Sequence, residues 1–197
     1  MTFKNQFYEL LRTRKSIRKY TDKPVDRLMV ERILKAAMEA PSGKNRQNWR
    51  FVVLTGEKKN EYLEYSQKSW QGIKDILKKR LKPSLYEFTE RFFYTLGGAP
   101  VVVLCYSNND ETEKKLTSIG SVYMAIQYLN LAAVAEGLGA CTMGAPLEIK
   151  DELDAFIDVK ELMGEDNTEL LCAVTLGWPD HDPPKAKRQS ENRVDHD

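Results

Sequence analysis

A run of apolar residues between Ser118 and Glu136 constrains the fold of this 197-residue chain more than any other feature. Its aliphatic and aromatic side chains fall on every face of a helix, a pattern typical of a helix that other elements enclose. A membrane-spanning helix is the alternative, but Gln127, Asn130 and Glu136 would be costly in lipid, and the sequence contains no second apolar span. We therefore expect a central core helix and no membrane association.

Three short β-rich runs accompany this helix, at Phe51–Thr55, Val101–Tyr106 and Leu170–Leu176. Amphipathic patterns predict five or six helices in all, the second of them capped by Asp26 and ended before Pro41. Strands and helices in this order do not alternate as βαβ units, so an α+β fold is favoured over a doubly wound parallel sheet.

Length and composition fit a single domain over residues 1–197, because 42% of the residues are apolar and 30% are charged. The last part of that domain, residues 179–197, is too polar to pack alone. We expect these residues to form a C-terminal tail that is either disordered or extended over another surface, such as a second subunit.

The charge balance excludes one class of partner. Lysine and arginine number 30 and aspartate and glutamate 29, which gives a net charge of +1, whereas a dedicated nucleic-acid binder is strongly basic. The N-terminus lacks the basic region and apolar run of a secretory signal. Cys105, Cys141 and Cys172 form no Cys-x-x-Cys pair, so we expect a cytoplasmic protein with free thiols.

The two histidines of the chain, His181 and His196, both lie in the polar tail between aspartates. A Ser-His-Asp triad, a Cys-His pair or a histidine-rich zinc site in the core is therefore not expected. We predict neither a metal nor a catalytic side chain, and we expect a cofactor to carry the chemistry.

Three segments contain residue types that suit a phosphate and a flat ring. The first, Arg14 to Arg18, offers three positive charges and a hydroxyl. This set fits a phosphate monoester, but a solvated basic surface has the same composition. The second, Pro41 to Trp49, is rich in amides that both donate and accept hydrogen bonds, which fits a flavin edge or an ordinary helix-to-strand loop.

The third segment, Gly139 to Pro146, consists of small residues that let a flat ring approach the backbone closely. The glycines Gly137 and Gly139 predict the end of the apolar helix, since a dinucleotide fingerprint must follow a strand. Cys141 is either a nucleophile or a structural thiol, and the lack of a histidine base favours the structural role.

In this order and spacing, the segments resemble the nitroreductase family of FMN-dependent flavoproteins over nearly the whole chain. The matching motifs are Arg14-Lys15-Ser16-Ile17-Arg18-Lys19-Tyr20, Ala40-Pro41-Ser42-Gly43-Lys44-Asn45-Arg46-Gln47-Asn48-Trp49, Gly137-Leu138-Gly139-Ala140-Cys141, and Leu176-Gly177-Trp178-Pro179 with Lys185-Ala186-Lys187-Arg188. Two positions depart from the family pattern, because Lys15 stands where arginine is usual and Asn48 replaces a proline.

The resemblance implies an α+β fold with a mainly antiparallel central sheet flanked by helices, in an intertwined homodimer. It also implies four groups of FMN-binding residues. Arg14, Lys15, Ser16 and Arg18 would hold the phosphate, the ribityl chain and the pyrimidine edge; Pro41, Ser42, Gly43 and Asn45 would reach the flavin of the other subunit; Thr142, Gly144 and Ala145 would lie against the ring; Lys185, Lys187 and Arg188 would close on the phosphate.

The implied activity is that of an FMN-dependent oxidoreductase that takes hydride from NADH or NADPH and reduces a small nitroaromatic or quinone-like acceptor by a ping-pong mechanism. A reductive dehalogenase or enone reductase of the same fold and a non-enzymatic flavin-binding protein are alternatives. A nucleic-acid-binding module using the basic N-terminus is opposed by the net charge. The aromatic-rich segment 66–94 would form either a lid over the substrate or part of the core.

Overall fold

Four strands and seven helices make up the chain over residues 2–108, 115–163 and 168–184, which the computed structural model describes. The strands are β1 (Trp49–Leu54), β2 (Val101–Asn108), β3 (Gly139–Met143) and β4 (Thr168–Gly177). The helices are α1 (Phe3–Thr13), α2 (Arg27–Met38), α3 (Gly56–Arg80), α4 (Pro83–Thr95), α5 (Lys115–Ala135), α6 (Lys150–Ile157) and α7 (Val159–Met163). The strands form one antiparallel sheet in the order β1-β2-β4-β3, so the predicted α+β class is confirmed.

The sheet is covered by helices on both faces. Along β2, Val101, Val103 and Cys105 pack with α2 and α5, whereas the alternate residues Val102 and Leu104 pack with α3 and α4. Because successive side chains of a strand point to opposite faces, a central strand between two helical layers is apolar throughout. This explains why β2 and β4 were the clearest strand signals in the sequence.

β3 was not predicted. The interpretation of both glycines as a helix stop holds for Gly137, which has a φ of +78° and donates its N–H to the Val134 carbonyl oxygen at 3.0 Å, while Leu138 N–H donates to Ala133 at 2.8 Å. It is wrong for Gly139, where β3 begins. The strand owes its extended form to pairing with β4 rather than to its own β propensity.

The cap predicted for the second helix is confirmed. Asp26 accepts a hydrogen bond from the N–H of Leu28 at 2.7 Å, and α2 ends at Met38, before Pro41.

α5 is the expected core helix on one side and is exposed on the other. It is long and apolar enough to cross a membrane by length and composition, yet Val122, Ile126 and Leu129 pack on the sheet and α2. On its other face Tyr123 and Tyr128 keep 43% and 41% of their surface exposed. One chain therefore covers only part of this apolar helix.

Candidate functional site

The residues that follow α1 run in extended form along the edge of the sheet. The Ile17 N–H donates to the Ala140 carbonyl oxygen at 2.9 Å, and the Tyr20 N–H donates to the Gly97 carbonyl oxygen at 2.8 Å. Ser16 forms a parallel bridge with Ala140. These backbone bonds fix the course of the first predicted segment and with it the base of the Arg18 side chain.

Two glycines allow this close approach. A Cβ added at Gly97 would overlap the backbone oxygen of Arg18, and the φ of Gly97 is +63°, in the left-handed region. A Cβ at Gly139 would come within 2.5 Å of the Ile17 side chain. Glycine at both positions lets the extended segment lie directly against the backbone of its neighbours.

A cleft of about 470 Å³ opens where this segment meets the end of β3. One side of the cleft is formed by Arg18 and the residues Cys141 to Gly144, and the other by α4 and the residue Leu81 before it. The cleft is lined by Arg18, Leu81, Leu85, Phe88, Thr89, Phe92, Phe93, Cys141, Thr142, Met143 and Gly144. The structure thus brings together residues of the first and third predicted segments; Ala145 begins the 3-10 turn that follows.

The β3 side of the cleft carries a buried thiol close to arginine side chains. Burial raises the pKa of the Cys141 thiol, whereas the nearby positive charges of Arg18 and Arg14 act in the opposite direction. Because the net direction is upward, the thiol stays protonated at neutral pH and is a poor nucleophile. This agrees with the structural role favoured for Cys141.

Lys15 is placed differently from Arg18. Its ammonium forms a 2.6 Å ion pair with Asp182, and its side chain is only 18% exposed. It lines a separate cavity of about 530 Å³ together with Trp178 and His181. Within the described residues, Arg18 therefore lines the cleft and Lys15 lines the separate cavity, on different sides of the extended chain.

The second predicted segment does not reach the cleft of its own chain. The Gly43 N–H donates to the Ser121 hydroxyl at 3.2 Å near the start of α5, whereas the Thr142 hydroxyl accepts from Asn130 at 3.2 Å near its end. Ser121 and Asn130 are nine residues apart, about 13.5 Å along a helix.

The loop that holds Pro41, Ser42 and Asn45 is internally ordered. The Ser42 hydroxyl accepts from the Gln47 N–H at 2.9 Å, and the Asn45 side-chain oxygen accepts from the Gln47 amide at 3.2 Å. The fourth group, Lys185, Lys187 and Arg188, lies outside the described residues.

Part of the aromatic-rich segment belongs to the core, and another part lines the cleft; a lid over the substrate stays a prediction. Trp70 is fully buried and donates its indole N–H to Glu90 at 3.0 Å, and Phe93 is buried beside it. Leu85 and Phe88 remain 49% and 43% exposed and form the α4 wall of the cleft. The wall residue Leu85 was missed; the spacing Leu85, Phe88, Phe92 along one helix face is the signal that could have found it.

The comparison with known families decides the classification. The model of the nitroreductase family matches residues 11–178, which include the extended segment, the whole sheet and both sides of the cleft. This chain belongs to the nitroreductase family.

Relatives of this nitroreductase-family chain carry more than one activity in their names. A protein of Archaeoglobus fulgidus with the provisional name NADH dehydrogenase/NAD(P)H nitroreductase is 48% identical over 176 residues, 87% of this chain and 84% of that protein. An iodotyrosine deiodinase of Thermotoga neapolitana is 32% identical over 188 residues, 92% of each chain. A crystal structure of oxidized iodotyrosine deiodinase bound to FMN and 3-iodo-L-tyrosine superposes with a TM-score of 0.75 at 27% identity, covering 96% of this chain and 98% of that one.

Proposed function

We propose that this nitroreductase-family chain is an FMN-dependent oxidoreductase that takes hydride from NADH or NADPH and reduces a nitroaromatic or quinone-like acceptor by a ping-pong mechanism. One observation carries the proposal: Arg18 and the stretch Cys141 to Gly144, which belong to motifs far apart in the sequence, line one cleft whose opposite wall is apolar.

The residues of the cleft fit a flavin. Its volume of about 470 Å³ lies within the range of roughly 300 to 1,000 Å³ that is usual for small-molecule sites. Arg18 supplies a positive charge, and Gly144 carries no side chain that would keep a ring away from the backbone. The deiodinase structure, with its FMN, supports the same cofactor for this chain.

When bound, FMN supplies the hydride acceptor and donor of both half-reactions. The chain's own residues would bind and orient it: Arg18 would favour negative charge on it, and the backbone from Thr142 to Gly144 would support the ring. Leu85 and Phe88 would contact a bound acceptor and shield it from water. This role requires no ionised side chain, in keeping with the protonated thiol of Cys141.

A second copy of this chain completes the site in this proposal. The exposed apolar face of α5, with Tyr123 and Tyr128, gains burial in a homodimer, and the loop with Ser42 and Asn45 is then free to reach the partner's cleft. The distance along α5 between this loop and the cleft of its own chain supports that assignment.

Reductive dehalogenation is a second candidate reaction for the same site. It is favoured by the Thermotoga neapolitana deiodinase, which matches this chain over 92% of its length. Activity toward 3-iodotyrosine measured beside a nitroaromatic acceptor separates the two candidates.

A fluorescence titration with FMN tests the arginine assignment. We expect the double variant Arg14→Ala with Arg18→Ala to bind FMN about 30-fold more weakly. Hydrogen bonds to charged groups contribute about 1.5–3 kcal/mol each, and water partly replaces the two that are lost. The loss should shrink at high salt. Arg27→Ala, on α2, is the control. Unchanged affinity of the double variant contradicts the assignment.

Mixing two defective proteins tests the dimeric site. Ser42→Arg should block the partner's cleft, and the arginine double variant should disable its own. If the two segments serve different subunits, each mixed dimer regains one intact site, so that about a quarter of all sites bind FMN again. Mixing restores nothing if both segments serve the same subunit, and that result contradicts the proposal.

A further inference from the structure

A smaller cavity of about 200 Å³ adjoins the cleft. Arg18, Phe88 and Phe92 line both spaces, so the two lie side by side. The residues that line the smaller cavity alone are Lys19, Tyr20, Arg91, Thr95 and Gly97. None of them is needed by the FMN assignment above.

The smaller cavity, which we call the side pocket, is positively charged. Arg18, Lys19 and Arg91 line it, and among the described residues no aspartate or glutamate lines either the side pocket or the cleft. Lys19 is neutralised by Asp180, 2.6 Å away. Arg18 is assigned to the cofactor, so Arg91 is the cation that remains for a ligand.

Arg91 has no ion pair within the part of the chain that the structure describes. The carboxylate that precedes it in the sequence, Glu90, instead accepts the Trp70 indole N–H at 3.0 Å and therefore faces α3. Arg91 lies three residues after Phe88, so the two share one face of α4. An aromatic ring packed on Phe88 thus places a ring substituent toward a free guanidinium.

We propose that Arg91 determines substrate specificity by binding the carboxylate, or an equivalent single negative charge, of a flat aromatic electron acceptor. The ring of the acceptor packs on Phe88 in the cleft, and its anionic substituent enters the side pocket. A guanidinium suits this role because its planar donors match a carboxylate in two parallel hydrogen bonds. The inference rests on the proposed function for the reduction of the acceptor, but the binding itself needs no turnover.

Equilibrium binding to the FMN-loaded protein, without reduced nucleotide, tests the inference. The probes are 4-nitrobenzoate and 4-nitrobenzamide, which have similar shapes and differ in charge, and calorimetry gives the dissociation constants. We expect the wild type to bind the benzoate about 10-fold more tightly than the amide, in line with one charge-assisted pair. Arg91→Gln should remove this preference and Arg91→Lys should keep part of it. Arg27→Gln, an exposed arginine of α2, should change nothing.

Steady-state kinetics gives an independent measure. In Arg91→Gln we expect the KM for 4-nitrobenzoate to rise about 10-fold, with kcat and both constants for the amide within twofold of wild type. Added salt should raise the KM for the benzoate in the wild type and not in the variant. Each acceptor is compared between the wild type and the variant, so the difference in intrinsic reactivity between the two nitro groups does not affect the result.

The outcomes separate this inference from the proposed function. If Arg91→Gln keeps the wild-type preference for the benzoate, Arg91 does not bind the anion and the inference is wrong, even where both acceptors are reduced. If the benzoate preference depends on Arg91 but neither acceptor is reduced, the side pocket stands and the reductase proposal fails. Equal binding of both probes by the wild type also overturns the inference.

Discussion

The two sides of the cleft are built in different ways. On the β3 side, backbone hydrogen bonds hold the extended segment around Ile17 and Tyr20, and glycines allow the chains to touch. On the α4 side, the surface consists of side chains such as Leu85 and Phe88, which remain about half exposed. The β3 side fixes positions, whereas the α4 side supplies contact area that a ligand still has to cover.

This difference separates two kinds of mutational effect. A change on the β3 side alters the course of the backbone and therefore acts on folding and on cofactor binding together. A change at the exposed wall residues Leu85 or Phe88 removes apolar contact from a ligand while the fold loses little, because these side chains are already about half exposed in the free protein. Substitutions on the β3 side should therefore lower stability and activity together, whereas those at the exposed wall residues should lower activity alone.

The largest effect is expected at Gly97. Gly97→Ala should lower the free energy of unfolding by about 3 kcal/mol, because the added Cβ overlaps the backbone oxygen of Arg18 at a residue with φ of +63°. Denaturant unfolding followed by circular dichroism measures this change. The control is Gly72→Ala in the interior of α3, where the added Cβ meets Glu148 at an ordinary 3.6 Å and should stabilise the helix by roughly 0.5–1 kcal/mol. Equal stability of the two variants would contradict the tight contact between Gly97 and the extended segment at Arg18.

Phe88→Ala should have an intermediate effect and act on activity alone. We expect kcat/KM for aromatic acceptors to fall about 10-fold, since a packed aromatic contact is lost, with the unfolding free energy within about 0.5 kcal/mol of wild type. Acceptor kinetics and denaturant unfolding on the same samples provide both values. Ile76→Ala, which removes a similarly exposed apolar side chain of α3 away from the cleft, should change neither. A loss of stability in Phe88→Ala that matches its loss of activity would show that the wall is part of the core.

The smallest effect is expected at Cys141. Burial raises the pKa of its thiol, so the group is uncharged up to neutral pH and gives up no proton there. Cys141→Ala should keep activity per bound FMN within twofold, with a pH profile between pH 6 and 8 that superposes on that of the wild type. Cys172→Ala, in the buried part of β4, controls for the cavity that each change leaves. An inflection in the wild-type profile that is lost in Cys141→Ala would assign the thiol a chemical role.

The sequence predicted the parts of the fold that have strong local signals. The long apolar runs of β2 and β4 and the cap at Asp26 are local properties, and all are found in the structure. β3 was missed because Gly139 and Ala140 favour no strand by themselves; its extended form comes from pairing with β4 and with the segment at Ile17. The hydrogen bond between Ile17 and Ala140 joins residues more than a hundred positions apart.

The candidate site rests on motif resemblance rather than on local signals. Arg18 and Thr142 line one cleft, whereas Lys15, which the resemblance groups with Arg18, pairs with Asp182; their roles toward the flavin stay predictions. In an extended segment, neighbouring side chains point to opposite sides, a fact that a count of charges ignores. The sequence did not single out Arg91, because a lone arginine in a charged helix can be recognised as part of a site only when its neighbours in space are known.

In the proposed function, this cleft holds a flavin that a pyridine nucleotide reduces. The most direct measurement is an absorbance spectrum of the purified protein, followed by anaerobic addition of NADH and then NADPH. The proposal predicts a yellow protein whose flavin absorbance is bleached by at least one nucleotide and returns when a nitroaromatic acceptor is added. A colourless protein that cannot be reconstituted with FMN, or a bound flavin that neither nucleotide reduces, would contradict it.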